Sequence, residues 1–330
     1  MTDRIGWVDN LRAIACLMVV MVHSAAGYVT DGSAVGTLHW DVANLLDSAS
    51  RVCVPLFFMI SGYLFFGERQ AQGKHYLRIG CCLLFYSLLA LCYMAWLTPI
   101  NPWLALRDSL QKPVFYHLWF FYAITIIYLF SPLIKVRQAS GYALAAAIVL
   151  LAVVANPNMP ALMNGQHQML PVNLYMFGDT IYYLLYAITG RIVGMMTIPR
   201  WAARVAFGVF VLGVALVTLG TRHLTLINGD FDQTYYLYCG PLVFLAASGL
   251  LASGKYYLNA APLPGLALIA RHSLAIYGVH ALVIHYLRTH QLALESAPVA
   301  DIFYVFAMAL AVGLLFSLGL QRIDRRRLVS

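Results

Sequence analysis

The residues of this chain best suited to chemistry are an arginine and a histidine in its first apolar segment, DNLRAIACLMVVMVH, where they stand as Arg12 and His23. Both are costly to bury in hydrocarbon, so an offsetting use is expected. On a helix turning about 100° per residue, eleven positions bring the two side chains to within roughly 20° in azimuth. They share one face and are separated along the axis by roughly 16 Å. A fixed cation near one end and an imidazole at depth suit the binding of an anionic molecule and a proton transfer beyond it. The structural alternative is that Arg12 snorkels to the interface and His23 bonds a neighbouring helix.

The surrounding chain must be a membrane bundle. Of its 330 residues, 62% are hydrophobic and 10% are charged, against about 25% charged in a soluble domain. No cleavable signal is expected at the N-terminus, because many apolar segments follow the first and no cleavage site stands out after His23. Ten segments have the length and apolarity of spans, or nearly so: 9–29, 42–66, 76–97, 117–134, 141–156, 179–197, 202–220, 235–253, 263–288 and 301–321. The expected fold is a single all-α polytopic domain over 1–330. The connections 98–116 and 157–178 are long enough for short amphipathic or re-entrant pieces.

Charge orients this bundle. With the N-terminus inside, thirteen Lys and Arg fall in loops on that face, from Arg4 to Arg327, and four on the other: Arg107, Lys112, Arg222 and Arg288. Both termini are then cytoplasmic. The net charge of +8 is thereby explained by topology, and no nucleic-acid partner is implied. The six cysteines lie in apolar segments with neither zinc-site nor disulfide spacing, and are read as small hydrophobes. No metal site is expected.

Further polar groups fall inside spans. Asp47 and Arg51 are four apart and can pair on one helical face. Pro55 kinks that span, and Ser61-Gly62 permits close approach of a helix or a ligand. His117 opens an aromatic-rich segment and reads as an interfacial belt residue. Asp179 is placed favourably at a helix start. In the ninth span Ser273, Tyr277 and His280 share a stripe that suits either a helix contact or a site. No nucleotide loop, His-Glu-x-x-His or Gly-x-Ser-x-Gly occurs.

These residues resemble the membrane acyltransferase family 3 proteins. The resemblance rests on Arg12-x10-His23, on VPLFFMISGYLFF in the second span, and on HLWFFYAI and RHSLAIYGVH further on. It implies a ten-span bacterial inner-membrane O-acyltransferase. Acetyl groups would pass from cytoplasmic acetyl-CoA to carbohydrate hydroxyls, here of N-acetylglucosamine in a lipid-linked or polymerised surface polysaccharide. It assigns the catalytic histidine to His23 and the first-span arginine to Arg12. The cytoplasmic Arg-x-x-Arg found in many members is absent. Lys74 and Arg78, with Arg69 before them, are the nearest substitutes for binding CoA phosphates. On this reading Asp9 and Asn10 hold the helix start or Arg12, while Asp179 and Tyr182 line the acceptor side. His23 acts either as general base or through an acetyl-imidazole intermediate. A transporter or flippase of a polyprenyl-linked glycan is the alternative from another class. The oligomeric state is left open, a homo-oligomer included, and lipid is the remaining partner.

Overall fold

The computed structural model describes residues 5–97, 101–109, 111–137, 140–165, 167–174, 178–259 and 263–330. Arg4, counted above, lies outside them. Each of the ten expected spans is helical, and the protein is an all-α polytopic membrane protein. Seven helical stretches among the described residues are long and apolar enough to cross a membrane. They are α1 (Gly6–Val29), α2 (Leu38–Ser50) running on into α3 (Cys53–Phe65), α4 (Gly73–Leu97), α9 (Arg200–Asn228), α10 (Pro241–Tyr257) with the turn before it, α11 (Pro264–Thr289) and α12 (Pro298–Ile323). Three expected spans are shorter: α6 (Trp119–Phe130) with the 3-10 turn that precedes it, α7 (Gly141–Ala147) continuing as a π-helix over Ile148–Val154, and α8 (Asp179–Met195).

The two long connections take different forms. One holds α5 (Pro102–Asp108), whose start is capped by the Asn101 side chain. The other holds a hairpin, β1 (Leu162–Asn164) against β2 (His167–Leu170), rather than a helical piece. Gly165 turns it with φ +62°, a conformation that glycine adopts without a Cβ penalty.

Pro55 explains why the second span is two helices. It has no N–H to donate to the carbonyl of Arg51, and its ring crowds that carbonyl. The break falls at Arg51–Val52, which leaves Arg51 at a bend rather than in a continuous wall.

α1 packs against α2, α3, α10, α11 and α12, and both of its ends are tied. At one end Asn10 Nδ2 donates to the Leu258 carbonyl at 3.0 Å. At the other, Tyr28 donates to Asp301 at 2.9 Å, and Arg288 pairs with the same carboxylate at 2.6 Å. Asp301 is fully buried, so the pairing keeps its charge matched.

α3 and α8 meet backbone to backbone. A methyl group at Gly62 would lie 1.9 Å from the Ala187 carbonyl oxygen, and one at Gly190 would lie 2.0 Å from that of Met59. Lipid supplies no hydrophobic drive between helices, so such contacts rest on small residues and dispersion. Gly62→Leu or Gly190→Leu should therefore abolish or strongly destabilise the folded protein, at a cost of about 1–3 kcal/mol or more. Gly208→Leu, on the exposed side of α9 with no atom near its Cβ position, should be tolerated. Thermal unfolding of the detergent-purified variants, followed by size-exclusion fluorescence, checks the contrast.

Candidate active site

Arg12 and His23 lie on α1 as their spacing predicts. Arg12 is one-third exposed, and its Nη1 meets Asp9 at 3.2 Å. His23 is partly buried, with its ring centroid 5.1 Å from both Tyr116 and His280. His117 follows, 5.2 Å from His280.

The imidazoles of His280 and His117 are held by backbone carbonyls, which only accept hydrogen bonds. His280 Nδ1 lies 2.7 Å from the Tyr277 carbonyl, and His117 Nε2 lies 3.1 Å from that of Gly278. Each facing nitrogen therefore carries the proton. His280 Nε2 and His117 Nδ1 remain as buried lone pairs without a partner among the described residues. Tyr277 donates its hydroxyl back to the His117 carbonyl, so the 116–118 turn and α11 clasp each other reciprocally. Gly278 permits the clasp, because a Cβ there would strike the Tyr86 ring at 2.1 Å.

A cavity of about 1160 Å³ opens on the face that carries the start of α1 and the end of α12. Asp9, Arg12, Arg69, Lys74 and Arg78 all line it, as do Arg271 and Arg327. Its six cations face two carboxylates, and both of those are engaged: Asp9 with Arg12, and Glu68 with Lys135 at 2.8 Å. Arg69, Lys74, Arg271 and Arg327 have no side-chain partner among the described residues. Such a mouth favours a polyanion, and guanidinium forks suit phosphate oxygens. The cavity runs inward to Phe120 and Tyr277, and the Tyr277 ring lies 5.6 Å from His280.

A second cavity of about 310 Å³ lies at the other end of α1. Its walls include Ala26 and Thr30, one and two turns beyond His23, together with Arg51, Asp179 and Tyr183. The stretch between α9 and α10 closes it with Phe231, Gln233, Tyr236 and Tyr238. Phe58 separates the two cavities, packed 5.4 Å from Phe120 on one side and 4.6 Å from Tyr183 on the other. Asp47 and Arg51 pair at 2.5 Å, with Asp47 fully buried.

Several expected positions stand apart from both cavities. Asn10 is buried and bonded to Leu258, so it ties α1 to α10 rather than holding Arg12. Tyr182 is fully buried and donates to the Leu151 carbonyl at 3.4 Å, while its neighbour Tyr183 takes the cavity wall. Only about 100° of helix rotation separates these outcomes, and the sequence does not say which tyrosine faces inward. His117, read as a belt residue, is only 1% exposed. Arg271 and Arg327 join the basic mouth although nothing in their spacing marks them. The six cysteines are free thiols. Among the described residues no cluster of three His, Cys, Asp or Glu is arranged to hold a metal.

The family model described as an acyltransferase domain matches residues 5–318. The chain belongs to that family. No curated protein and no solved structure gives a match. The acyltransferase thus sets Arg12 in the wall of the basic cavity and His23 further along α1, beside two other imidazoles and one turn short of Ala26 in the wall of the second cavity.

Arg78 is not free in this arrangement. Its Nη2 donates to the Ser330 carbonyl at 3.0 Å, and Tyr86 donates to the Val329 carbonyl at 2.7 Å. Asp324 holds this tail by accepting from the N–H groups of Leu328, Val329 and Ser330. Desolvation works to raise its carboxyl, but those donors outweigh it and hold the carboxyl below the ordinary value. A carboxyl depressed by folding contributes stability above its unfolded value and loses it as pH falls through its folded value. The tail of the acyltransferase should therefore stay docked at neutral pH and detach below the ordinary carboxylate range, and Asp324→Asn should detach it at neutral pH. An environment-sensitive fluorophore on Ser330→Cys reads both transitions.

Proposed function

We propose that the protein is an acetyl-CoA-dependent O-acetyltransferase of a bacterial inner membrane, with His23 as the base. The observation that carries this reading is the place of His23 on α1, between Arg12 in the wall of a cation-rich cavity and Ala26 in the wall of a smaller, aromatic one, on a helix tied at both ends. The face rich in Lys and Arg is taken as cytoplasmic, in line with the bias of loop charges.

On this reading acetyl-CoA enters from the basic face. Arg12, Arg69, Lys74 and Arg271 attract its phosphates, with Arg78 joining when the tail releases it. The acyl arm extends along α1 toward His23. A sugar hydroxyl approaches from the opposite cavity, and the imidazole of His23 takes its proton as the oxygen attacks the acetyl carbon. The new C–O ester bond forms, the C–S bond breaks, and the CoA thiolate leaves and recovers the proton. His280, locked in one tautomer with a bare lone pair toward the cluster, orients the His23 ring. Enclosure by Phe58, Phe120 and Tyr116 keeps bulk water from the thioester, which limits hydrolysis.

The acceptor proposed is a hydroxyl of N-acetylglucosamine in a surface polysaccharide, lipid-linked or polymerised. Three stretches support enterobacterial common antigen as that polysaccharide: SASRVCVPLFFMISGYLFFGER, LQKPVFYHLWFF and QRIDRRRLVS resemble parts of its O-acetyltransferase.

Purified protein incubated with acetyl-CoA and the isolated polysaccharide should release free CoA and form an O-acetyl ester. His23→Ala should lower kcat by about 10²–10⁴-fold, the usual contribution of a general base. His280→Ala should lower it by up to about 10²-fold through misplacement of the His23 ring. Arg12→Ala should act mainly on KM for acetyl-CoA. Unchanged transfer in His23→Ala would overturn the mechanism. Acetylated His23 formed without acceptor would replace the direct transfer by a two-step route.

A further inference from the structure

The cavity opposite the basic face is small, walled by aromatic rings, and fitted with polar groups that the protein itself does not use. Arg51 Nε is committed to Asp47 at 2.5 Å, but its two terminal nitrogens have no partner among the described residues, and the side chain is 17% exposed. Its guanidinium lies 4.3 Å from the Tyr236 ring centroid and 5.6 Å from that of Tyr238, which fixes its plane. The side-chain amides of Asn158 and Gln233 also line the cavity and have no partner among the described residues. Asp179 contributes an exposed carboxylate that accepts a long bond from Tyr183 at 3.5 Å, interacts with the Cys239 thiol, and pairs with no cation among the described residues.

Donors and acceptors are therefore both present and both unspent. That is the complement of hydroxyl groups, each of which donates and accepts. The rings of Tyr183, Tyr236 and Tyr238 supply flat apolar faces beside them. The cavity's volume of about 310 Å³ lies at the small end for ligand sites and suits one or two sugar units, not a folded partner.

Charge narrows the class further. The Arg51 charge is already matched by buried Asp47, and Asp179 adds a negative charge with no cation paired to it among the described residues. An anionic sugar would meet a net carboxylate here, whereas the basic-face cavity presents six cations to two carboxylates. The cavity is also continuous with the chemistry: Ala26 in its wall is one turn from His23 on α1, and Arg51 lies within electrostatic range of His23.

We propose that this cavity is the acceptor subsite and takes an uncharged sugar unit, with Arg51, Asn158, Gln233 and Asp179 bonding its hydroxyl and amide groups and the tyrosines covering its apolar face. The proposal rests on the acetyl-transfer reading for its purpose, but binding at the site can be measured without any transfer. With Arg51 matched by Asp47, the surplus carboxylate of Asp179 makes it selective against uronates and sugar phosphates.

The test uses the full chain in nanodiscs and two probes, methyl N-acetylglucosaminide and methyl glucuronide. Trp119, whose ring is 6.0 Å from Tyr238 and 6.2 Å from Tyr183, provides an intrinsic fluorescence signal for binding. The neutral glycoside should quench this signal saturably, and the glucuronide should bind at least several-fold more weakly. Gln233→Leu and Asn158→Leu are accessible positions that leave the helices intact. Each should weaken the neutral glycoside and raise the acceptor KM by roughly 3–10-fold, the worth of one neutral hydrogen bond. Neither should change KM for acetyl-CoA. Asp179→Asn should narrow the gap between the two probes. The proposal is overturned if the wild-type protein binds no neutral glycoside, prefers the glucuronide, or is indifferent to both leucine variants. Glycoside binding that follows this pattern in a protein that releases no CoA would support the subsite and overturn the acetyl-transfer reading alone.

Discussion

Inside an apolar bundle a polar group has no water to turn to, and the arrangement of this protein follows from how each such group is answered. Most are answered locally. Arg51 is met by Asp47, Arg288 by Asp301 and Tyr28, and Asn44 by the Thr218 carbonyl and the Tyr236 hydroxyl. The Asn44 bonds join stretches far apart in the chain, and the Asp301 group ties down one end of α1, as Asn10 and the Leu258 carbonyl do the other. The imidazoles are answered only by half. Backbone carbonyls take one proton each from His117 and His280 and leave a lone pair bare on the other nitrogen. A neutral imidazole tolerates that better than a charged group would, since an unpaired charge there would cost far more.

The same constraint divides the interior into two compartments of unlike chemistry. Cations collect where helix ends meet the basic face, because only there can their charge reach solvent. The opposite cavity holds its one buried cation against a buried carboxylate and surrounds it with tyrosines. Phe58 and its neighbours keep the compartments apart. α1 contributes Arg12 to one wall and Ala26 to the other, and it carries His23 between them. A reaction that draws a polyanionic donor from one side and a neutral acceptor from the other needs such a division, and it needs the reacting group at the septum.

Rigidity at the septum comes from backbone contacts. Gly62 and Gly190 let α3 and α8 touch without intervening side chains, which fixes Phe58 between the cavities. Gly278 does the same for α11, so that Tyr86 can pack on it while His117 reaches its carbonyl. Small residues serve here because dispersion between closely approaching backbones is the main attraction left when lipid and side chains are equally apolar.

Composition and period alone determined that the chain is an all-α membrane bundle, where its spans lie, and that Arg12 and His23 share a stripe of α1. These are local properties: a helix has a fixed turn and rise, and an apolar run of given length has one stable environment. The bend at Pro55 was legible for the same reason. Tertiary structure decided which groups meet. His117 belongs beside His280 because α11 folds back on the 116–118 turn, 160 residues away. Tyr183 rather than Tyr182 faces the second cavity because the close approach of Gly62 to Ala187 and of Gly190 to Met59 sets the rotation of α8. Arg271 and Arg327 join the basic mouth only when the start of α11 and the segment after α12 come together. Arg51 finds Tyr236 and Tyr238 across a similar gap. Azimuth on one helix follows from residue number, but the neighbour on that azimuth follows only from how the helices pack.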